Sequence, residues 1–72
     1  GDELDLILVK GNQRIAIECK ASTAPKLTKG FWRALEVVKP QKTFVIAPIL
    51  GYYDIAPQVM VCGLEEFLNI EI

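Results

Sequence analysis

Apolar residues recur along this chain in two different periods, and the switches between them divide it into elements. Leu4-Asp5-Leu6-Ile7-Leu8-Val9-Lys10 is short, apolar and partly β-branched, which predicts a buried strand over residues 4–10. Gly11-Asn12 is a turn pair whose residues tolerate positive φ, and residues 14–20 form a second strand. Two strands joined this closely make an antiparallel hairpin. Ala21 to Lys26, with Ser22, Thr23 and Pro25, reads as a loop. From Leu27 the period lengthens: Leu27, Phe31, Ala34, Leu35 and Val38 recur at helical spacing, so an amphipathic helix is expected over residues 27–38. Thr28, or Ser22 and Thr23 further back, supplies its N-cap. Pro40 cannot continue the helix and disfavours helical geometry at Lys39. Gly30 inside the helix costs about 1 kcal/mol relative to Ala, which points to a packing reason for it.

Thr43-Phe44-Val45-Ile46-Ala47 predicts a third strand, nearly continuous in apolar residues and stopped by Pro48. The strand–helix–strand order of residues 14–47 is the crossover that sets parallel strands in one sheet. Ile49 to Pro57, with Gly51, Tyr52 and Tyr53, reads as a loop. Val59 to Cys62 predicts a fourth strand, Leu64 to Leu68 a helical turn, and Ile70-Glu71-Ile72 an edge strand or a frayed tail. The expected fold is a mixed α/β sheet with an N-terminal antiparallel hairpin, a crossover helix and further strands. Strands buried on both faces need a second layer, and one substantial helix is in view. A covering helix is therefore expected upstream of Gly1 or from a second subunit, with residues 1–72 the single-domain core of a larger protein.

Composition narrows the class. At 72 residues, 51% of them apolar and 24% charged, the chain is one small domain with a thin margin of stability. Cys19 and Cys62 lie in apolar strand runs and read as buried free thiols of a cytoplasmic protein rather than a disulfide framework. The absence of His and of a second Cys at ligand spacing argues against a zinc site. Nothing resembles a signal peptide or a membrane span. The net charge of −1, with basic residues spread along the chain, argues mildly against avid non-specific nucleic-acid binding without excluding a nuclease.

The chemistry emerges from strand parity. Alternation puts Glu3, Asp5, Ile7 and Val9 on one face of the first strand, and Leu4, Leu6 and Leu8 on the other. On the second strand Ala16, Glu18 and Lys20 share a face opposite Ile15, Ile17 and Cys19. The turn lies at the far end, so Glu3, Asp5, Glu18 and Lys20 converge. Asp5 and Glu18 can share a hard divalent cation, Mg²⁺ or Mn²⁺, which is held by one or two carboxylates with waters and substrate phosphate. The backbone carbonyl of Cys19 can supply a further ligand. Such a cation polarises a phosphoryl oxygen and acidifies an attacking water, while Lys20 suits orientation of that water and charge on the transition state. An acid followed two residues later by a base arises about once by chance in such a chain, so the hairpin context carries the signal.

Gly1-Asp2-Glu3-Leu4-Asp5 followed by Ile15-Ala16-Ile17-Glu18-Cys19-Lys20 resembles the G-x-E-x-D…I-x-[EV]-x-K region of the PD-(D/E)XK nuclease superfamily. The chain is also similar to a narrower group, the uncharacterised C-terminal domain of prokaryotic AAA-type ATPases. That likeness rests on Lys20-Ala21-Ser22, Lys29-Gly30, Val45-Ile46-Ala47-Pro48 and Leu64-Glu65-Glu66-Phe67-Leu68, and spans nearly the whole chain. The resemblance implies a restriction-endonuclease-like fold lacking its first helix, metal ligands at Asp5 and Glu18, and a catalytic Lys20. Glu3 is implied as a further ligand or as a group orienting the ligands.

Plainer readings accompany each feature. Asp5, Glu18 and Lys20 can be a structural charge network. Lys26, Lys29 and Arg33 at i, i+3 and i+7 are a solvated helix face or a strip for a nucleic-acid backbone. Trp32 marks an interface or fills a pocket; Tyr52 and Tyr53 stack on bases or anchor a loop. Two functions follow: a metal-dependent nuclease, or a catalytically silent interaction module on the same fold. The partners expected are an upstream ATPase portion, nucleic acid and a second copy, with no membrane. No Gly-x-x-x-x-Gly-Lys-[Ser/Thr] loop occurs, so ATP is not bound by that route.

Overall fold

A computed structural model describes residues 4–70 and arranges them as β1 (Leu6–Lys10), β2 (Gln13–Cys19), α1 (Lys29–Val38), β3 (Lys42–Ile46), β4 (Tyr52–Ala56), β5 (Val59–Cys62) and α2 (Leu64–Leu68). The strands form one mixed sheet in the order β1-β2-β3-β5-β4. The N-terminal hairpin forms as expected, with Leu6 opposite Ile17 and Lys10 opposite Gln13. Gly11 takes φ +59 at the turn, where the missing Cβ removes the steric penalty. β2, β3 and β5 run parallel, and α1 makes the crossover from β2 to β3.

α1 begins two residues later than the periodicity predicts because Thr28 caps it, its hydroxyl accepting the Phe31 N–H at 3.1 Å. Lys26 therefore precedes the helix. At the other end Lys39 turns left-handed at φ 53 and donates its N–H to the Leu35 carbonyl, so the helix closes before Pro40. Phe31 and Ala34 are its buried face. Phe31 packs with Val45, Ala47, Val59 and Val61 on one side of the sheet, joined by Leu27, Leu35 and half-buried Trp32. Trp32 meets Phe31 edge-to-face at 5.0 Å, so its ring packs against this core.

The opposite side is covered by α2, a short helix that the sequence reads as a single turn. Ile15, Ile17, Phe44 and Cys62 form its core, and Phe67 and Ile70 close over them. Phe67 lies edge-to-face on Phe44 at 5.3 Å. Over the sheet centre this short helix supplies a second layer. β1 stays outside the cover, with Leu6 at 50% and Val9 at 70% exposure.

Two expectations are corrected. Residues 52–56 lie within the expected loop but form an edge strand, β4, antiparallel to β5, which slots between β3 and β4. Tyr52 and Tyr53 are exposed strand residues. With both faces open, an edge strand lacks the apolar alternation that marks a half-buried one, and a register shift between Asp54 and Ala56 blurs it further. Cys19, expected buried, is exposed; it ends β2 beyond the reach of α2, while Cys62 beneath α2 is buried, and both are free thiols. No helix among the described residues is long and apolar enough to cross a membrane. Ile70 is a bend, and residues 71–72 of the expected tail lie outside the described residues.

Candidate functional site

Glu18 is the penultimate residue of β2 and lies in register with Val45 of β3, which in turn lies beside Val61 of β5. It thus occupies a core position in an apolar row under α1, and it is 4% exposed. A carboxylate there costs free energy unless its oxygens find partners. Each does. Oε1 accepts the Asp5 N–H at 3.2 Å, and Oε2 faces the Lys20 ammonium at 3.5 Å.

Asp5 reciprocates across the hairpin. It precedes β1 in a bend, and its Oδ2 accepts the Cys19 N–H at 2.8 Å. Beyond the Leu6–Ile17 pair, carboxylates thus replace carbonyls as acceptors of the strand N–H groups. The bend also breaks the expected parity: Leu4 packs against the cluster under α1 rather than on the opposite face with Leu6 and Leu8. Asp5 is exposed and Lys20 half-buried, so the pair opens to solvent on the hairpin side. In an extended strand one residue's N–H and C=O point to the same neighbour, so the Cys19 carbonyl faces the side where Asp5 sits.

Burial raises the Glu18 carboxyl above its ordinary range, and the neighbouring Asp5 charge and hydrogen bond push it further up. Lys20 opposes both without cancelling them. Two carboxylates are held together at a place where one proton is retained more tightly than usual. A divalent cation is the natural replacement for that proton, since it neutralises both groups at once. Asp5, Glu18 and the Cys19 carbonyl are the oxygen donors available to it. Among the described residues no group of three or more His, Cys, Asp and Glu surrounds a common point. Two carboxylates are nonetheless the usual protein contribution to a magnesium site.

The site occupies the carboxyl edge of the parallel strands, where open α/β sheets bind their ligands. Three of the expected residues, Asp5, Glu18 and Lys20, are therefore brought together. Glu3 lies outside the described residues. Lys26, Lys29 and Arg33 are exposed and do not join the carboxylate pair. The Cys19 thiol takes no part, because parity directs it to the opposite face. What sequence reading did not single out is Gly63, directly after β5, where an added Cβ meets the Ile49 carbonyl and the Glu66 carboxylate. It also missed Glu66, whose Oε1 is buried without a hydrogen-bond partner among the described residues. Its charge and burial together raise the Cys62 thiol, burial being the larger cause. A glycine between strand and helix and an acid three residues later were the available signals.

A family model described as a domain of unknown function, DUF4143, matches residues 1–67. No curated protein and no solved structure matches the chain.

Proposed function

We propose, from the premise that the chain belongs to the DUF4143 family, that it is a divalent-metal-dependent nuclease-type domain hydrolysing phosphodiesters. In this reading it is a cytoplasmic PD-(D/E)XK-like domain carried beside an AAA-type ATPase. The single observation that carries the proposal is the reciprocal pinning of Asp5 and Glu18, with Lys20 on the outer oxygen of Glu18. A purely structural ion pair needs one acid and one base. Here a second acid sits beside a buried first one, an arrangement that destabilises the metal-free protein and is characteristic of sites that act on charge.

Asp5, Glu18 and the Cys19 carbonyl would hold Mg²⁺ or Mn²⁺, which supplies Lewis acidity toward the phosphoryl oxygen and acidifies a bound water. The chain's own groups do the rest. The backbone N–H groups of Asp5 and Cys19 hold the two carboxylates in place before substrate arrives. The Lys20 ammonium, half-exposed and tethered to Glu18, presents positive charge to the pentavalent phosphate. α1 and its cluster keep water from the inner side of Glu18, so these interactions act in a low dielectric.

The test is cleavage of labelled DNA and RNA with Mg²⁺ or Mn²⁺, beside Asp5→Asn, Glu18→Gln and Lys20→Ala. Loss in all three, with metal binding retained in Lys20→Ala, supports the reading. Cleavage that survives Lys20→Ala refutes the assigned roles. A second reading, a catalytically silent interaction module, is favoured by the exposed apolar residues Leu6 and Val9 on β1, and predicts no cleavage by any form.

A further inference from the structure

Net charge is only −1, yet the fold gathers the basic residues unevenly. No acidic residue lies between Glu18 and Glu36, and Lys20, Lys26, Lys29 and Arg33 in that stretch are four of the chain's 8 basic residues. The stretch is the connection from β2 into α1 and the first half of the helix. Its position follows from packing. Leu27, just before the helix, joins the cluster of Phe31, Val45 and Ala47, and so does Leu4, the neighbour of Asp5. At the other end of α1, the Gln41 N–H reaches the Arg14 carbonyl near the start of β2. The helix therefore runs over β3 and β5, and as the crossover from the end of β2 to the start of β3 it places its N-terminus at the carboxyl edge of the sheet, where Asp5, Glu18 and Lys20 lie.

Lys26, Lys29 and Arg33 are exposed, and none forms an ion pair with a described residue. The first turn of α1 holds no acid. A helix N-terminus carries partial positive charge, which favours acids there and disfavours Lys29. Helix stability thus does not account for Lys29. Instead the charge of the three side chains adds to that of the helix end, and a surface of summed positive potential borders the two-carboxylate site. Such a surface draws in a polyanion, and its contacts go to phosphates rather than bases.

We propose that Lys26, Lys29 and Arg33, with the N-terminal end of α1, form a track for the phosphate backbone of a nucleic acid crossing the Asp5–Glu18–Lys20 edge. The inference rests on the nuclease reading of that edge and adds where the substrate lies. Lys29 and Arg33 are four residues apart and share a helix face, and Lys26 lies in the connection that leads from Lys20 to the helix.

The experiment is a fluorescence-anisotropy titration of the full chain in EDTA, at several salt concentrations. The probes are a labelled 20-nucleotide DNA strand, its duplex, and an RNA strand of the same sequence. The Lys26→Ala/Lys29→Ala/Arg33→Ala variant is compared with Arg14→Ala/Lys42→Ala, which removes charge at the opposite edge of the sheet. Wild type is expected to bind with a negative salt slope, and the triple variant to lose about 0.9 of slope per lost contact on duplex and about 0.7 on single strands. Lys29→Glu, favoured by the helix end and so not expected to unfold it, weakens binding as well. The preferred probe distinguishes DNA from RNA. Absence of wild-type binding to all three probes overturns the track, as does equal weakening by the Arg14/Lys42 control or an unchanged slope in the triple variant. Track-dependent binding without cleavage in Mg²⁺ or Mn²⁺ removes the nuclease reading alone. Lys20-dependent cleavage with unaltered affinity in the triple variant removes the track alone.

Discussion

Glu18 offers the sharpest test of the physical account, because its carboxylate is buried beside a second acid. In the metal-free protein the native state holds the Glu18 proton more tightly than the unfolded chain does. Below the unfolded carboxyl range both states are protonated, and the burial penalty is absent. As pH rises through the window between the unfolded and the raised native value, only the unfolded chain releases the proton freely. Stability therefore falls across that window, at a limiting slope of about 1.4 kcal/mol per pH unit, and the penalty is full above it. Glu18→Gln removes the ionisation while keeping an oxygen for the Asp5 N–H. It loses the attraction of Lys20 at 3.5 Å, a half-exposed pair worth about 0–1 kcal/mol. Relief of burial and of the Asp5 charge exceeds this, so the variant is the more stable protein near neutrality. For a domain of this size each 1 kcal/mol gained raises Tm by about 4–8 °C. The assay is thermal unfolding in EDTA, followed by circular dichroism and Trp32 fluorescence, from acid to neutral pH. The variant's advantage must shrink to nothing on acidification. A Glu18→Gln protein less stable than wild type at neutral pH, with wild type gaining nothing from acid, refutes the reasoning.

Three further outcomes are expected. Saturating Mg²⁺ or Mn²⁺ at one hundred times its Kd stabilises wild type by about 2.7 kcal/mol, and the same titration leaves the Tm of Asp5→Asn and Glu18→Gln nearly unmoved. Thr28→Ala removes the hydroxyl that accepts the Phe31 N–H and lowers stability by about 1 kcal/mol, whereas Thr28→Ser retains most of it, as denaturant midpoints will show. Gly63→Ala drives a methyl group into the Ile49 carbonyl and the Glu66 carboxylate. It is expected to cost about 1–3 kcal/mol, read from chemical denaturation together with loss of the near-ultraviolet signal.

The hairpin, the helix and the crossover were all legible in the sequence, because each depends on local periodicity and on punctuation by Gly11 and Pro40; the choice of Thr28 over Ser22 or Thr23 as the cap came from the structure. The approach of Asp5 to Glu18 was legible too, since the tight turn of the hairpin sets the two opposite each other, although the bend at Asp5 carries Leu4 to the α1 side against the expected alternation. β4 was hidden, because an edge strand is open on both faces and owes its existence to pairing with β5 rather than to a pattern of its own. α2 was visible as a turn, but not as the cover of the second face, which depends on Phe67 meeting Phe44 far away in sequence.

What the sequence by itself determined is therefore the identity of the charged residues and the face they share. Only the tertiary structure decided how those charges behave. β3 and α1 bury Glu18, and the bend at Asp5 turns its carboxylate onto the Cys19 N–H. The same fold brings the N-terminal end of α1, and with it the acid-free stretch that holds Lys20, Lys26, Lys29 and Arg33, to the side of the sheet that carries the carboxylates. Side-chain alternation is local and can be read residue by residue, whereas desolvation and the summing of charge depend on which distant segments come to lie alongside.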